Sequence, residues 1–232
     1  MNKLFLSLTI FTLALAGILA PAPSHADQRL VTPEFWKQTN AEEIENMIQN
    51  GASIHIVEPE FLWTPLHLAS GFTTDSRIII ALLNQGADIH ATDRDGAHPL
   101  HIAAGFNIGD GVVKLLLNRG ADIEFQDNNG FTPLHWAAAN ASSPVSATLL
   151  LKRNANIEAR SNEELTPILA AAEFSTSEAL LRLLFDSGAD ITAIANDGIS
   201  IVDRLERNDA LRDTPTRELI EQKYCEQLGL SC

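Results

Sequence analysis

The stretch "TPLH" at residues 64–67 returns as "HPLH" at 98–101, "TPLH" at 132–135 and "TPIL" at 166–169. The proline of each copy lies 34 residues after the preceding one, at positions 65, 99, 133 and 167. A second marker keeps the same step, with "GADI" at 86, 120 and 188 and "NANI" at 154. Self-similarity at a fixed period indicates stacked supersecondary units, each too small to bury its own apolar face. We predict four such units over residues 63–197.

The residues of one unit predict a helix, a turn, a second helix and a loop. Thr64, Thr132 and Thr166 suit the N-cap, and the proline that follows each suits the first helical position because its missing N–H would have no partner there. A second apolar segment follows in each unit, such as "VVKLLLNR" at 112–119. The glycine or Asn154 after it suits a left-handed helix C-terminus.

These residues resemble the ankyrin repeat family. The TPLH box, the alanines after it, the leucine run and the GADI hinge all match, and the resemblance covers about residues 33–232. It implies an all-α solenoid, a curved stack of helix pairs from which β-turn fingers project on one side. Residues 27–62 and 198–232 lack the box and are expected to form the N-terminal capping repeat and the C-terminal capping repeat with its helix.

Residues 1–26 read as a signal peptide. Lys3 is followed by an uncharged apolar run from Leu4 to Ala20, and "PAPSHA" ends in small residues that suit cleavage after Ala26. We therefore expect export to the periplasm, or secretion from the cell, with no membrane insertion after cleavage. An uncleaved membrane anchor is the alternative reading, although the run is slightly short for a spanning helix.

The only two cysteines are Cys225 and Cys232. In an oxidising compartment they can form a disulfide that closes a short loop, worth roughly 2 kcal/mol in the chain-entropy model. Two free thiols are the alternative. The spacing is not that of a CxxC redox motif.

The charge balance bears on the partner. The chain has 16 basic and 30 acidic residues, a net charge of -14. Such a charge repels nucleic acid and acidic membranes, and it favours a basic protein partner through electrostatic steering. We expect a chain that is monomeric when free.

Three histidines, His67, His101 and His135, share the 34-residue step. Equivalent helices of a stack lie roughly 8 to 10 Å apart, whereas zinc ligands lie about 2 Å from one ion. We therefore expect these rings to hydrogen-bond the scaffold, which the family resemblance also implies. The pair His98 and His101 is the only local metal candidate, and no cofactor is expected. The sequence contains no phosphate loop, HExxH or GxSxG motif, so we predict that the chain is not an enzyme.

Binding residues are expected where the repeat leaves the residue type free. Aromatic anchors among polar neighbours are typical of interface centres. Aligning the units gives these candidates around the fingers: Phe61, Trp63, Arg94, Asp95, Asn128, Asn129, Phe131, Glu163 and Leu165. The alternative is that Phe61, Trp63 and Phe131 fold back onto neighbouring fingers.

A second aromatic series, Phe72, Phe106 and Phe174, has Asn140 at the equivalent position of the third unit. The series could dock a partner or pack the turn between the two helices, and we expect packing, although Phe106 is retained as a candidate contact. Trp136 is a further candidate because it could line the concave face of the stack.

The sequence thus predicts an exported protein-binding module. One function class is an inhibitor or immunity protein for a basic envelope enzyme such as a cell-wall hydrolase. The other is a secreted effector that engages a host or prey protein. An unrecognised enzyme or metal protein is a third, weaker reading.

Overall fold

A computed structural model describes residues 25–106 and 109–230 of the chain. All regular secondary structure in these two ranges is helical, which confirms the all-α fold class. A short helix α1, His25–Leu30, comes first. The first helices of the successive units are α2 Pro33–Gln38, α4 Pro65–Phe72, α6 Pro99–Phe106, α8 Pro133–Asn140, α10 Pro167–Phe174 and α12 Ile201–Arg207. The second helices are α3 Ala41–Gln49, α5 Ser76–Asn84, α7 Asp110–Asn118, α9 Val145–Lys152, α11 Glu178–Asp186 and α13 Pro215–Leu228.

The helices form two layers. The first helices contact one another in chain order from α2 to α12. Behind them, α3 contacts α5, α5 contacts α7, α7 contacts α9, and α11 contacts α13. Each first helix from α4 to α10 also packs against the second helix of its own unit. The apolar core therefore runs along the whole stack between the two layers, as a solenoid requires.

Small residues let the first helices approach closely. Ala69, Ala103, Ala137 and Ala171 occupy one position of four successive units, and all are fully buried. At Gly71 an added Cβ would lie 2.9 Å from the Ile102 side chain of the next unit. A larger residue at Gly71 would force α4 and α6 apart.

The helix ends follow the predicted signals. Thr64 caps α4 and Thr214 caps α13, each accepting a backbone N–H with its side chain. Thr166 occupies the N-cap of α10 as predicted, but its side chain accepts no backbone N–H. Gly86, Gly120 and Gly188 end second helices with a positive φ, and Asn154 adopts φ 63° at the same place of the third unit. The prediction that Asn replaces Gly at this turn is confirmed.

Both ends of the stack bury apolar residues of their own. At the N-terminus, Leu30 and Trp36 are buried, and the Trp36 indole N–H donates to the Leu30 carbonyl.

Residues 1–24 lie outside the described ranges, so the signal peptide and its cleavage after Ala26 stay predictions. No helix within the described ranges has both the length and the apolar character needed to cross a membrane. Cys232 also lies outside the described residues, and its disulfide with Cys225 stays a prediction.

Candidate binding surface

The periodic histidines tie each unit to the next. His67 Nδ1 accepts hydrogen bonds from the Thr64 backbone N–H at 3.2 Å and from its hydroxyl at 2.9 Å. The ring proton therefore sits on Nε2, which donates to the Ala97 carbonyl of the following unit at 3.1 Å. The equivalent Nε2 bonds join His101 to Phe131 O at 3.1 Å and His135 to Leu165 O at 2.9 Å. The prediction that these rings hydrogen-bond the scaffold is confirmed.

Burial keeps these rings neutral. It lowers the pKa of His67, His101 and His135 to about 4, an effect that the bonds to backbone carbonyls offset only in part. A neutral ring is the form that can both accept at Nδ1 and donate at Nε2. The hydrogen-bonding pattern and the pKa thus agree.

The pair His98 and His101 serves the scaffold as well. His101 Nδ1 accepts the His98 backbone N–H at 3.1 Å, and the His98 ring stacks on Phe125 with the ring centroids 3.5 Å apart. No group of three or more His, Cys, Asp or Glu side chains among the described residues is arranged to hold a metal ion. The contacts of His98 and His101 therefore give no support to a metal site at this pair.

We define the fingers as the turns around residues 58–63, 92–97, 126–131, 160–165 and 194–199. A ladder of hydrogen bonds links each finger to the next. In each step a backbone N–H donates to a carbonyl in the preceding finger: Arg94 to Phe61 at 2.8 Å, Asn128 to Asp95 at 2.9 Å, Asn162 to Asn129 at 2.9 Å and Asn196 to Glu163 at 3.0 Å. Many predicted site residues are therefore positioned by main-chain hydrogen bonds. Most of their side chains take no part in the ladder and are available for contacts with a partner.

Five predicted contacts are exposed on the fingers: Arg94, Asp95, Asn128, Asn129 and Glu163. Arg94 donates to the Pro59 carbonyl, and the Asn128 amide donates to the Arg94 carbonyl, so both are partly committed to the ladder. Asp95 and Glu163 form no salt bridge with another described residue. The fingers therefore present these two carboxylates to solvent without an ion pair among the described residues, together with the exposed guanidinium of Arg94.

Trp63 does not present a free side chain to a partner but follows the alternative, in which it folds back onto the neighbouring finger. Its side chain is only 5% exposed, and its indole N–H donates to Asp93 Oδ2 at 2.9 Å. The other carboxylate oxygen of Asp93 accepts the backbone N–H groups of Asp95 and Ala97 and so holds the finger turn. Because a buried carboxylate needs partners for both oxygens, Trp63 is drawn inward.

Trp136 and Leu165 are also largely buried. Trp136 is 7% exposed and donates its indole N–H to Asp127 Oδ2 at 2.9 Å, while Asp127 Oδ1 holds the finger turn as Asp93 does. Leu165 is 8% exposed within the apolar core, and its carbonyl accepts from His135. Burial raises the pKa of Asp93 and Asp127, although their hydrogen bonds oppose that shift.

The remaining aromatic candidates are half-buried. Phe61, Phe106 and Phe131 pack against the core while keeping part of each ring accessible. The rings of Phe61 and Trp63 lie 5.4 Å apart, and those of Phe131 and His135 also lie 5.4 Å apart, so these phenylalanines fold back onto their own units. Their exposed edges can still contact a partner.

The aromatic series at the ends of the first helices is interrupted at its third position. Phe72, Phe106 and Phe174 are half-buried, whereas the equivalent Asn140 is exposed. A shallow, partly open pocket lies beside Asn140, with about 30 Å³ of room inside its walls and about 460 Å³ of empty space when the solvent at its mouth is counted. It is lined by Phe106, Phe131, His135, Trp136, Ala139, Asn140, Ala170 and Phe174. The pocket lies among α6, α8 and α10 and brings together three predicted site residues, Phe106, Phe131 and Trp136.

Sequence reasoning missed two kinds of residue here. Asp93 and Asp127 organise the fingers and hold the tryptophans, and their shared 34-residue step could have revealed them. Leu62 adopts φ 60° and is 41% exposed, at the position where Gly96, Gly130 and Gly198, and also Glu164 with φ 60°, have a left-handed backbone. A leucine is rare in this conformation. Because Leu62 is exposed at a position that glycine fills in most units, we regard it as a candidate contact on the first finger.

The comparisons with known proteins agree with this architecture. A family model described as ankyrin repeats (3 copies) matches residues 36–127 and 100–195. The two matches together run from residue 36 to residue 195 of the 232 in the chain. A comparison with curated proteins finds no significant match. The matched region contains the exposed finger residues and the pocket beside Asn140.

Proposed function

This chain belongs to the ankyrin repeat family, and on that premise we propose that it binds a basic protein through its fingers and first helices. Ankyrin repeats imply a protein-binding module. The observation that carries the choice of surface is the pair of exposed acidic residues Asp95 and Glu163, which form no salt bridge with described residues and stand on a hydrogen-bonded ladder. A rigid surface loses little conformational entropy on binding.

The charge of the chain supports a basic partner. With 30 acidic and 16 basic residues, the molecule attracts positively charged proteins over a range limited by salt screening. Acidic residues on the fingers would place this attraction at the docking surface, where it increases the rate of productive encounter.

We further propose that the protein is exported to the periplasm and acts there as an inhibitor or immunity protein. The apolar run from Leu4 to Ala20 and the small residues before Asp27 support export. Enzymes that act on anionic cell walls are suitable basic partners, because the same positive charge that binds their substrate would bind an acidic inhibitor. This role involves binding only and requires no catalysis.

Affinity capture from the envelope fraction tests the proposal. The mature chain is immobilised beside the double variant Asp95→Lys with Glu163→Lys, and captured proteins are quantified at low salt. A matched control, Glu45→Lys with Glu218→Lys, makes the same change in net charge at exposed positions of the second helices α3 and α13. We expect a specific basic protein to be retained by the wild type and the control and lost by the finger variant.

Two outcomes would contradict the proposal. Equal loss of capture in both variants would show that net charge, not the fingers, attracts the partner. Recovery of the mature chain only in the culture medium would instead favour a secreted effector that engages a protein of another cell.

A further inference from the structure

The pocket beside Asn140 arises from two local departures from the repeat. Phe occupies this position in the units before and after it, so Asn140 removes one ring from a continuous row. In the next unit, Ala170 stands where α8 has Trp136, which removes a second large side chain. Both substitutions open space on the same part of the surface, between the rings of Phe106 and Phe174.

The lining of the pocket is rigid and almost entirely apolar. Trp136 is held by its bond to Asp127 and meets the Phe106 ring edge to face, with the centroids 6.0 Å apart and the planes at 88°. His135 is held by its own bonds to Thr132 and Leu165. Asn140 donates its amide to the Trp136 carbonyl at 3.2 Å and so stays folded against its own helix. The pocket is therefore preformed, which favours binding.

We propose that one aromatic side chain of a basic protein partner lies across the open mouth of this pocket. The missing member of the row is a phenyl ring, so an aromatic ring supplied by a partner would complete it and meet Phe106, Phe174 and Trp136 in the edge-to-face or offset arrangements that aromatic rings prefer. The positive charge of the partner follows from the net charge of -14 and from the exposed carboxylates of Asp95 and Glu163 on the neighbouring fingers. This inference rests on the proposed function and names the anchor of that interaction.

The pocket is tested with defined peptides, independently of any natural partner. The probe is a nine-residue peptide of alternating lysine and glycine around one central tryptophan, and its control carries alanine at the centre. Binding to the full mature chain is followed by the NMR shifts of the Ala139 and Ala170 methyl groups, which line the pocket. We expect the tryptophan peptide to shift both methyl signals and to bind roughly tenfold or more tightly than the alanine peptide.

Variants of the protein complete the test. Asn140→Phe restores the row and is expected to weaken binding of the tryptophan peptide by roughly tenfold or more. Asn140→Leu fills part of the pocket and serves as a second variant, and thermal unfolding verifies that both fold. Asn84→Phe, the same substitution at the exposed end of α5 in the other layer, is the matched control and should bind like the wild type.

The outcomes separate this inference from the proposed function. Equal binding of the two peptides, or unchanged binding by folded Asn140→Phe, would overturn the pocket. A natural partner that is lost by the finger variant but captured fully by Asn140→Phe would leave the proposed function standing and reject this anchor. Selective binding of the tryptophan peptide at Ala139 and Ala170 without any captured envelope protein would reject the proposed function alone.

Discussion

Thr132 and Thr166 begin the first helices of two successive units, but only one of their hydroxyls has a hydrogen-bond partner. The Thr132 hydroxyl lies 2.9 Å from His135 Nδ1. The fourth unit has Leu169 in place of the histidine, and the buried Thr166 hydroxyl has no partner. Leucine in place of histidine at residue 169 thus removes both an acceptor for the hydroxyl and a donor for the following unit.

The matched substitutions Thr132→Val and Thr166→Val should have opposite effects on stability. Thr132→Val loses a hydrogen bond and should lower the free energy of unfolding by about 1 kcal/mol, whereas Thr166→Val removes an unpaired buried hydroxyl and should leave it unchanged or raise it by up to about 1 kcal/mol. Urea unfolding of the two variants measures the difference. Equal destabilisation would show that the histidine does not use the hydroxyl.

At the level of single residues, the sequence predicted positions better than orientations. The 34-residue period correctly placed the histidines in the scaffold and Asn154 at a left-handed turn. It could not show that Trp63 turns inward, because the cause is the second oxygen of Asp93, thirty residues later in the chain. Asp127 draws in Trp136 in the same manner, although Trp136 follows it by only nine residues. Long-range hydrogen bonds of this kind leave no local pattern.

At the level of elements, the junction between α10, the last finger and α12 depends on one arginine. Arg204 in α12 is 3% exposed, and its guanidinium binds Glu173 of α10 at 2.6 Å and Asp197 of the last finger at 2.6 Å. The guanidinium thereby connects the fourth unit to the helices α12 and α13 that close the stack. Both carboxylates remain partly exposed, which limits the cost of leaving them unpaired.

Replacing this arginine should loosen the end of the stack. We expect Arg204→Ala to lower the stability of the C-terminal pair α12 and α13 by about 2 kcal/mol through lost packing and lost ion pairs. Hydrogen exchange of α13 amides measures this local opening, since the ends of repeat stacks can open separately. Arg207→Ala, exposed on the same helix, is the control and should have little effect. Similar exchange in both variants would contradict this role of Arg204.

The helices were predictable from the sequence, whereas this junction was not. Thr-Pro starts, small residues and Gly ends recur with each unit, so the helix pairs follow from a local pattern. Glu173 occupies the position of Gly71, Gly105 and Ala139 in the other units. The 34-residue repeat therefore could not predict the ion pair between Glu173 and Arg204. Contacts made once in a repeat protein are found only in the three-dimensional structure.

For the whole molecule, the buried histidines predict a loss of stability in mild acid. The pKa of His67, His101 and His135 is about 4 in the folded chain against 6.5 for an unperturbed ring. Between these values the unfolded chain binds protons that the folded chain cannot, so stability is complete above pH 6.5 and falls as the pH drops toward 4. Asp93 and Asp127, whose pKa is raised by burial, act in the opposite direction between the ordinary carboxyl pKa and the raised one.

Urea unfolding at pH 7, 6 and 5 should therefore show a decreasing free energy, by at most about 1.4 kcal/mol per pH unit for each histidine. His135→Leu mimics the natural fourth unit at residue 169 and removes one of the three groups, so its free energy should fall less steeply over the same interval. A free energy of unfolding that does not change between pH 7 and pH 5 would contradict this reading of the histidines.

We propose that the acidic fingers and first helices form the surface that binds a partner protein. The most direct measurement is hydrogen–deuterium exchange of the mature chain with and without its captured partner. We expect the partner to protect the fingers at residues 92–97, 126–131 and 160–165 from exchange. We also expect protection at the ends of α6, α8 and α10, around the Asn140 pocket. Exchange in the second helices α5, α7 and α9 should change little. Protection confined to the second helices, with the fingers unchanged, would contradict it.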